Sequence, residues 1–245
     1  MPKNTQSLEH GLSAGQLARY REEGYLRYGP FLNGAEMEEL QQVGERMYAD
    51  ANLRSIELDA GEGGTYPLYT PVFSREPRFE EILFRHPVLL DILESILGPV
   101  FRLVEDQYFY KPAKHGASLA CHHDNIYYGF VDPKIVTVWL ALDDATLENG
   151  CLKVLPGSHR EEIEHQGVPG TIITEAVIDK NDLVSVPVPA GELILVDGLT
   201  VHGSGPNTTD APRRVANLVA IVPCADSASR IFSLEANPYL RGAPV

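Results

Sequence analysis

Two spacings of apolar residues run along this chain, and the change from one to the other divides it. The first hundred positions carry helical spacing. Ser13 predicts an N-cap for a helix through about Glu23, and Gly24 suits the left-handed position that follows such a helix. Tyr25 to Tyr28 reads as a first strand. Asn33 predicts a cap for a helix through about Ala49, with Leu40, Val43 and Met47 on one face. Two more helices are expected at 77–84 and 87–97, ended by Gly98 and Pro99. From residue 100 onward, apolar residues alternate or run together, which predicts strands. Residues 100–111 place Gln107, Phe109 and Lys111 on one face and Tyr108 and Tyr110 on the other, and alternation alone leaves the inner face open. Ile135 to Leu142 is apolar throughout, as in a buried strand, with Thr137, Trp139 and Ala141 sharing a face. Glu192 to Val196 and Arg213 to Val222 complete the long strands. Short strands separated by Gly and Pro turns predict an antiparallel β core.

Three stretches break the pattern. Residues 1–12 read as a frayed tail. Residues 55–75 are polar and Gly-rich, and predict a loop that is either disordered or a lid. Tyr66, Tyr69 and Phe73 near its end either face a substrate or anchor the loop to the core. Residues 160–182 predict a polar surface excursion with His165 in solvent. Asp143 and Asp144 end a strand before Glu148-Asn149-Gly150, which gives them turn and capping roles rather than acid–base work.

The 245 residues, 44% of them hydrophobic, suffice for one domain spanning 1–245. The net charge of −14 argues against nucleic acid and anionic membranes as partners. It also argues against a polyanionic substrate such as a CoA thioester. Three cysteines, Cys121, Cys151 and Cys224, have no metal-type spacing and fit a reducing compartment. No apolar signal core or membrane-length run is present, so a cytoplasmic protein is expected, as a monomer or a homodimer.

The chemistry concentrates in His122-His123-Asp124. In an extended strand residues two apart share a face, so His122 and Asp124 can reach one metal while His123 turns away. A distant His202 supplies a third ligand. Two imidazoles and one carboxylate form the facial triad of non-heme Fe(II) sites, which leaves coordination positions open. The run His202-Gly203-Ser204 to Arg213-Arg214 then adds arginine, whose fork takes a carboxylate through two nitrogens. Iron and a cation for a dicarboxylate together suggest a 2-oxoglutarate-dependent oxygenase.

The chain resembles the phytanoyl-CoA dioxygenase (PhyH) family of Fe(II)/2-oxoglutarate oxygenases. The likeness rests on His122-His123-Asp124, the segment from Val138 to Leu152, Val154-Leu155-Pro156-Gly157-Ser158-His159, and His202 to Arg214, in that order. His123 stands where the family often has Gln, and this leaves the ligands unaffected. The resemblance implies a mainly β jelly-roll barrel (a double-stranded β-helix, cupin-like) with flanking α-helices. It implies Fe(II), 2-oxoglutarate and O₂, with hydroxylation of a C–H bond in a small-molecule substrate and release of succinate and CO₂. Of the two arginines only one can point inward, and the family position is Arg213. The resemblance also assigns Ser204, Gln107 and Trp139 to the oxoglutarate neighbourhood. Their plain alternatives are a turn hydroxyl, a solvated strand residue and a core filler. Tyr66, Tyr69, Asn125, Tyr127 and Tyr128 are the expected substrate pocket. Asp124 fills the place that related halogenases leave to chloride, which favours hydroxylation. Desaturation, cyclisation and demethylation remain open on the same site, as does a catalytically silent binding barrel.

Overall fold

The computed structural model describes residues 10–50, 52, 56–59, 65–72, 76–114, 116–130, 134–168, 173–222 and 238–242. Reciprocal caps start the first two helices. Ser13 accepts from the backbone of Gln16 while the Gln16 side chain takes the Ser13 amide, opening α1 (Ala14–Glu23). Asn33 and Glu36 do the same for α2 (Gly34–Ala49). Between them Gly24, at φ 78°, turns the chain into β1 (Tyr25–Pro30). The short strands β2 (Ile56–Asp59) and β3 (Thr65–Tyr69) precede α3 (Pro77–Phe79), which widens into a π-turn at Glu80–Phe84, and α4 (Pro87–Leu97). The barrel strands follow: β4 (Phe101–Lys111), β5 (Leu119–His122), the single turn α5 (Asn125–Tyr128), β6 (Ile135–Ala141) and β7 (Leu152–Val154). A small hairpin pairs β8 (His165–Gly167) with β9 (Thr174–Ala176). The remaining strands are β10 (Val184–Val186), β11 (Glu192–Asp197), β12 (His202–Ser204), β13 (Arg213–Ile221) and β14 (Tyr239–Arg241).

The large sheet runs β1-β11-β6-β13-β4-β3-β2, with β14 beside β4, and the small one runs β10-β7-β12-β5. The sheet pairings are antiparallel, as the patterning predicts, and the two sheets make the jelly roll that the resemblance implies. The outer face of the large sheet is covered by the helices. Leu40, Val43 and Met47 of α2 and Leu89, Ile92 and Leu93 of α4 pack with Tyr108, Val138, Leu140, Ala216 and Leu218 in the main core. Inside the barrel Trp139, Ala141, Val154, Ile194 and Val215 fill one end. Val104, Tyr128, Phe130, Ile135 and Val219 fill the other. Among the described residues no helix is long and apolar enough to cross a membrane.

A β-bulge decides which face of β4 is inner. Val219 pairs with Glu105 and Ala220 with Leu103, so Val104 is the extra residue. Phe101 and Leu103 point out to the helices, yet beyond the bulge it is Tyr108 and Tyr110 that do so. Gln107, Phe109 and Lys111 therefore face the interior.

Two expectations change. Residues 55–75 are not simply a loop, because β2 and β3 extend the large sheet from β4. Backbone pairing supplies order there that side-chain pattern did not announce. Residues 160–182 are not a plain surface excursion either. The β8–β9 hairpin lies against β5, and His165 is half-buried with its ring 4.5 Å from that of His123.

Candidate active site

The small sheet brings His122 of β5 and His202 of β12 into direct register. Their ring centroids lie 4.8 Å apart. Asp124 reaches the same place by a different route from the one the spacing suggests. The strand ends at His122, and Asp124 sits in helical backbone (φ −60°, ψ −36°) at the position just before the α5 turn. The ligand atoms of His122, Asp124 and His202 lie within 4.8 Å of one another. Asp124 Oδ1 is 3.7 Å from His122 Nε2 and 3.6 Å from His202 Nε2.

Hydrogen bonds hold each group ready for a metal. His122 Nδ1 donates to the Ala120 carbonyl at 2.8 Å, and His202 Nδ1 donates to the Thr200 carbonyl at 3.0 Å. That tautomer leaves both Nε2 lone pairs free and aimed at the carboxylate. Thr137, on the inner face of β6, donates its hydroxyl to Asp124 Oδ2, which leaves Oδ1 for the ion. Burial pushes the Asp124 carboxyl up, but His202, His122 and the Thr137 hydroxyl outweigh it and hold it at about 2. Burial pushes His202 down against the pull of Asp124. An ionised carboxylate and neutral imidazoles are the donor set that a divalent first-row ion takes. His123 turns away, its Nδ1 accepting from the Ile126 amide at 3.1 Å.

Further along the inner face lie two buried cations. Arg213 is 3% exposed and Lys111, opposite it on β4, is 1% exposed. Lys111 Nζ donates to Ser204 Oγ at 2.8 Å and to the Gly205 carbonyl. Burial, and then Arg213, hold its ammonium well below the usual range. The Arg213 guanidinium stands 5.8 Å over the Trp139 ring. Trp139 thus fills the core and borders the cation at once. Arg214 faces outward as alternation requires, but it is not a surface residue. It grips Asp143 through two nitrogens at 2.8 and 2.6 Å, tying the barrel to Glu45 of α2. Asp144 accepts from the Ala190 amide, so neither aspartate caps its own turn: Asp143 pairs with Arg214 and Asp144 ties down the turn before β11.

The expected pocket residues divide. Tyr127 packs edge-on to His122 at 5.2 Å, and its hydroxyl accepts from the Thr174 amide. Gln107 lies on the inner face between Glu105 and Phe109, half-buried. Tyr128 is buried with its hydroxyl on Glu105 at 2.8 Å. Asn125 is not free to meet a substrate, since its side chain clasps both backbone groups of Phe130. Tyr69 is 0% exposed and sits in the main core opposite Tyr108, so it is not a pocket wall. Its neighbour Leu68 faces the apolar wall formed with Phe109, Leu119 and Ile173. The side chain of Tyr66, like Phe73 and Cys224, lies outside the described residues.

The sequence reading passed over Thr137 and Lys111 as functional groups. A single polar residue in an apolar strand, and a lysine sharing a face with Phe109, were the available signals. It also passed over Glu105, whose inward face depends on the bulge.

The family model of phytanoyl-CoA dioxygenase (PhyH) matches residues 20–215. The chain belongs to the PhyH family. That family comprises iron- and 2-oxoglutarate-dependent oxygenases. A phytanoyl-CoA dioxygenase domain-containing protein 1 homolog from Caenorhabditis elegans is 32% identical over 152 residues, covering 56% of this chain and 52% of that protein. The chain thus spans about half the length of that relative. A probable alpha-ketoglutarate-dependent hypophosphite dioxygenase from Stutzerimonas stutzeri is 27% identical over 218 residues, covering 82% and 76%. Among solved structures, the epimerase SnoN in complex with Fe3+, alpha ketoglutarate and nogalamycin RO is 25% identical with a TM-score of 0.75, covering 93% and 98%.

Proposed function

We propose that this PhyH protein is an Fe(II)/2-oxoglutarate-dependent oxygenase that hydroxylates a C–H bond of a small molecule. One observation carries the reading: both imidazole Nε2 atoms and Asp124 Oδ1 converge on one point, with a buried Arg–Lys pair further along the same interior. Iron and 2-oxoglutarate, when bound, couple oxidative decarboxylation to attack on the substrate, releasing succinate and CO₂.

The chain's own part is to hold and orient. His122, Asp124 and His202 would hold the iron, and three protein ligands leave coordination positions free. Arg213 would take the far carboxylate of 2-oxoglutarate. Lys111 adds a second positive charge, and the Ser204 hydroxyl, which accepts from Lys111, retains its own proton to donate. Two cationic side chains set side by side at one end of the interior suit a dianion. Trp139 and Val215 keep water from that end. The Thr137 hydroxyl fixes which Asp124 oxygen faces the metal.

The test is succinate formation from 2-oxoglutarate by aerobic, iron-loaded protein, compared with Asp124→Ala and His202→Ala. Wild-type turnover with no measurable turnover in either variant is expected. Equal succinate release from a folded Asp124→Ala protein would sink the site assignment.

A further inference from the structure

The inner face of β4 changes sign along its length. Lys111 faces Arg213 at one end, Phe109 and Gln107 follow, and Glu105 stands at the other. The rows across the sheet place these relative to the metal ligands. Thr137, whose hydroxyl holds Asp124, pairs with Val219, and Val219 pairs with Glu105. Two inter-strand spacings put the Glu105 backbone roughly 10 Å from that of Thr137. Six residues of strand put it roughly 20 Å from the Lys111 backbone. Glu105 therefore lies away from the cationic end, in the row of the sheet that holds the metal cluster's Thr137.

Three features mark this carboxylate as a recognition group. The bulge at Val104 turns Glu105 inward, where unbroken alternation would have sent it out with Leu103. Among the described residues its oxygens take hydroxyls and an amide: Thr70 Oγ1 at 3.1 Å, Tyr128 at 2.8 Å, and the Gln107 side chain. No Lys, Arg or His pairs with it among the described residues. A second acceptor stands in the next row. Asn217, paired with Gln107 on one side and Trp139 on the other, is 8% exposed, and its Oδ1 has no hydrogen-bond partner among the described residues. A bare acceptor beside an uncompensated carboxylate calls for a donor. 2-Oxoglutarate ionised at both carboxylates carries no donor and cannot supply one. The remaining wall is apolar: Leu68, Phe109, Leu119 and Ile173.

We infer that the substrate is an apolar-bodied small molecule bearing a protonated amine, which Glu105 pairs with and Asn217 helps to orient. The inference rests on the oxygenase reading for what happens at the metal, but not for the binding preference. The chain's net charge of −14 works in the same sense, drawing cations in and repelling anions.

Three matched probes test it at pH 7.5: cyclohexylmethylamine, cyclohexylmethanol and cyclohexanecarboxylate. Each is titrated into anaerobic protein with Fe(II) and 2-oxoglutarate, following the charge-transfer band, and into metal-free protein by calorimetry. The amine is expected to bind about tenfold tighter than the carboxylate, and Glu105→Gln to erase that preference with 2-oxoglutarate affinity unchanged. Equal or tighter binding of the carboxylate, an intact preference in Glu105→Gln, or no saturable binding of the amine would overturn it. The wild-type ranking alone decides the matter if Glu105→Gln does not fold. A missing charge-transfer band would defeat the oxygenase reading, while calorimetry still reports on Glu105.

Discussion

Thr137→Val isolates the support beneath the metal cluster. Thr137 is 2% exposed on the inner face of β6, and its hydroxyl is the donor to Asp124 Oδ2. Valine matches threonine in shape, so no cavity opens and the strand keeps a β-branched residue. What is lost is one hydrogen bond to a charged acceptor, worth about 1.5–3 kcal/mol. It also leaves a buried carboxylate oxygen without a donor. If nearly all of that loss falls on metal binding, affinity for a divalent ion drops about 10–100-fold, the range found when groups behind metal ligands are removed. The opposing effect is that Asp124 keeps the attraction of both histidines, so the site weakens without collapsing. The assay is anaerobic titration with Mn(II) or Co(II), beside thermal melts of the metal-free protein. Thr137→Ser retains the hydroxyl and should recover most of the affinity. A Thr137→Val protein that binds metal as wild type does would refute this role for the hydroxyl.

Other outcomes follow from the same geometry. Lys111→Met should weaken 2-oxoglutarate about 10–100-fold, as removal of one partner from a charge-assisted contact does; isothermal titration checks it, and unchanged affinity would leave Arg213 as sole anchor. Tyr69→Ala should cost about 3–5 kcal/mol of stability, the price of emptying a core aromatic site. It should leave the 2-oxoglutarate affinity of the folded fraction alone, whereas a specific loss of ligand affinity would return Tyr69 to the pocket. Burial raises the Glu105 carboxyl above its unfolded value. Its stabilising contribution is therefore complete below the ordinary carboxylate range and lost as pH rises through the raised value. Melts of wild type against Glu105→Gln should show the wild type losing ground across that window, and a difference independent of pH would contradict it.

Much of this was legible because it depends on local chemistry. Ser13, Gly24 and Asn33 satisfy or release backbone groups within one turn, and the helix ends fell where those residues stand. The His122, Asp124 and His202 cluster could be read from residue types, since few combinations suit a divalent ion. What escaped the sequence was set by contacts distant along the chain. Strands β2 and β3 exist because β4 offers an edge, and their own residues are polar and Gly-rich. The phase of β4 turns on one bulge, so alternation gave the right sets of residues but could not say which set faced inward. Tyr69 went astray for a related reason, because a one-residue change of face exchanges Tyr69 for Leu68. Asp124 converges on the histidines from a helical turn, although its spacing from His122 suits an extended strand equally well.

The central claim is tested most directly by anaerobic titration of Fe(II) and 2-oxoglutarate, with wild type beside Arg213→Ala. Chelation of iron by 2-oxoglutarate gives a weak visible metal-to-ligand charge-transfer band. The account predicts that band in wild type, and the same band at much higher 2-oxoglutarate in Arg213→Ala. A folded, iron-loaded wild-type protein that gives no band at any 2-oxoglutarate concentration would contradict it.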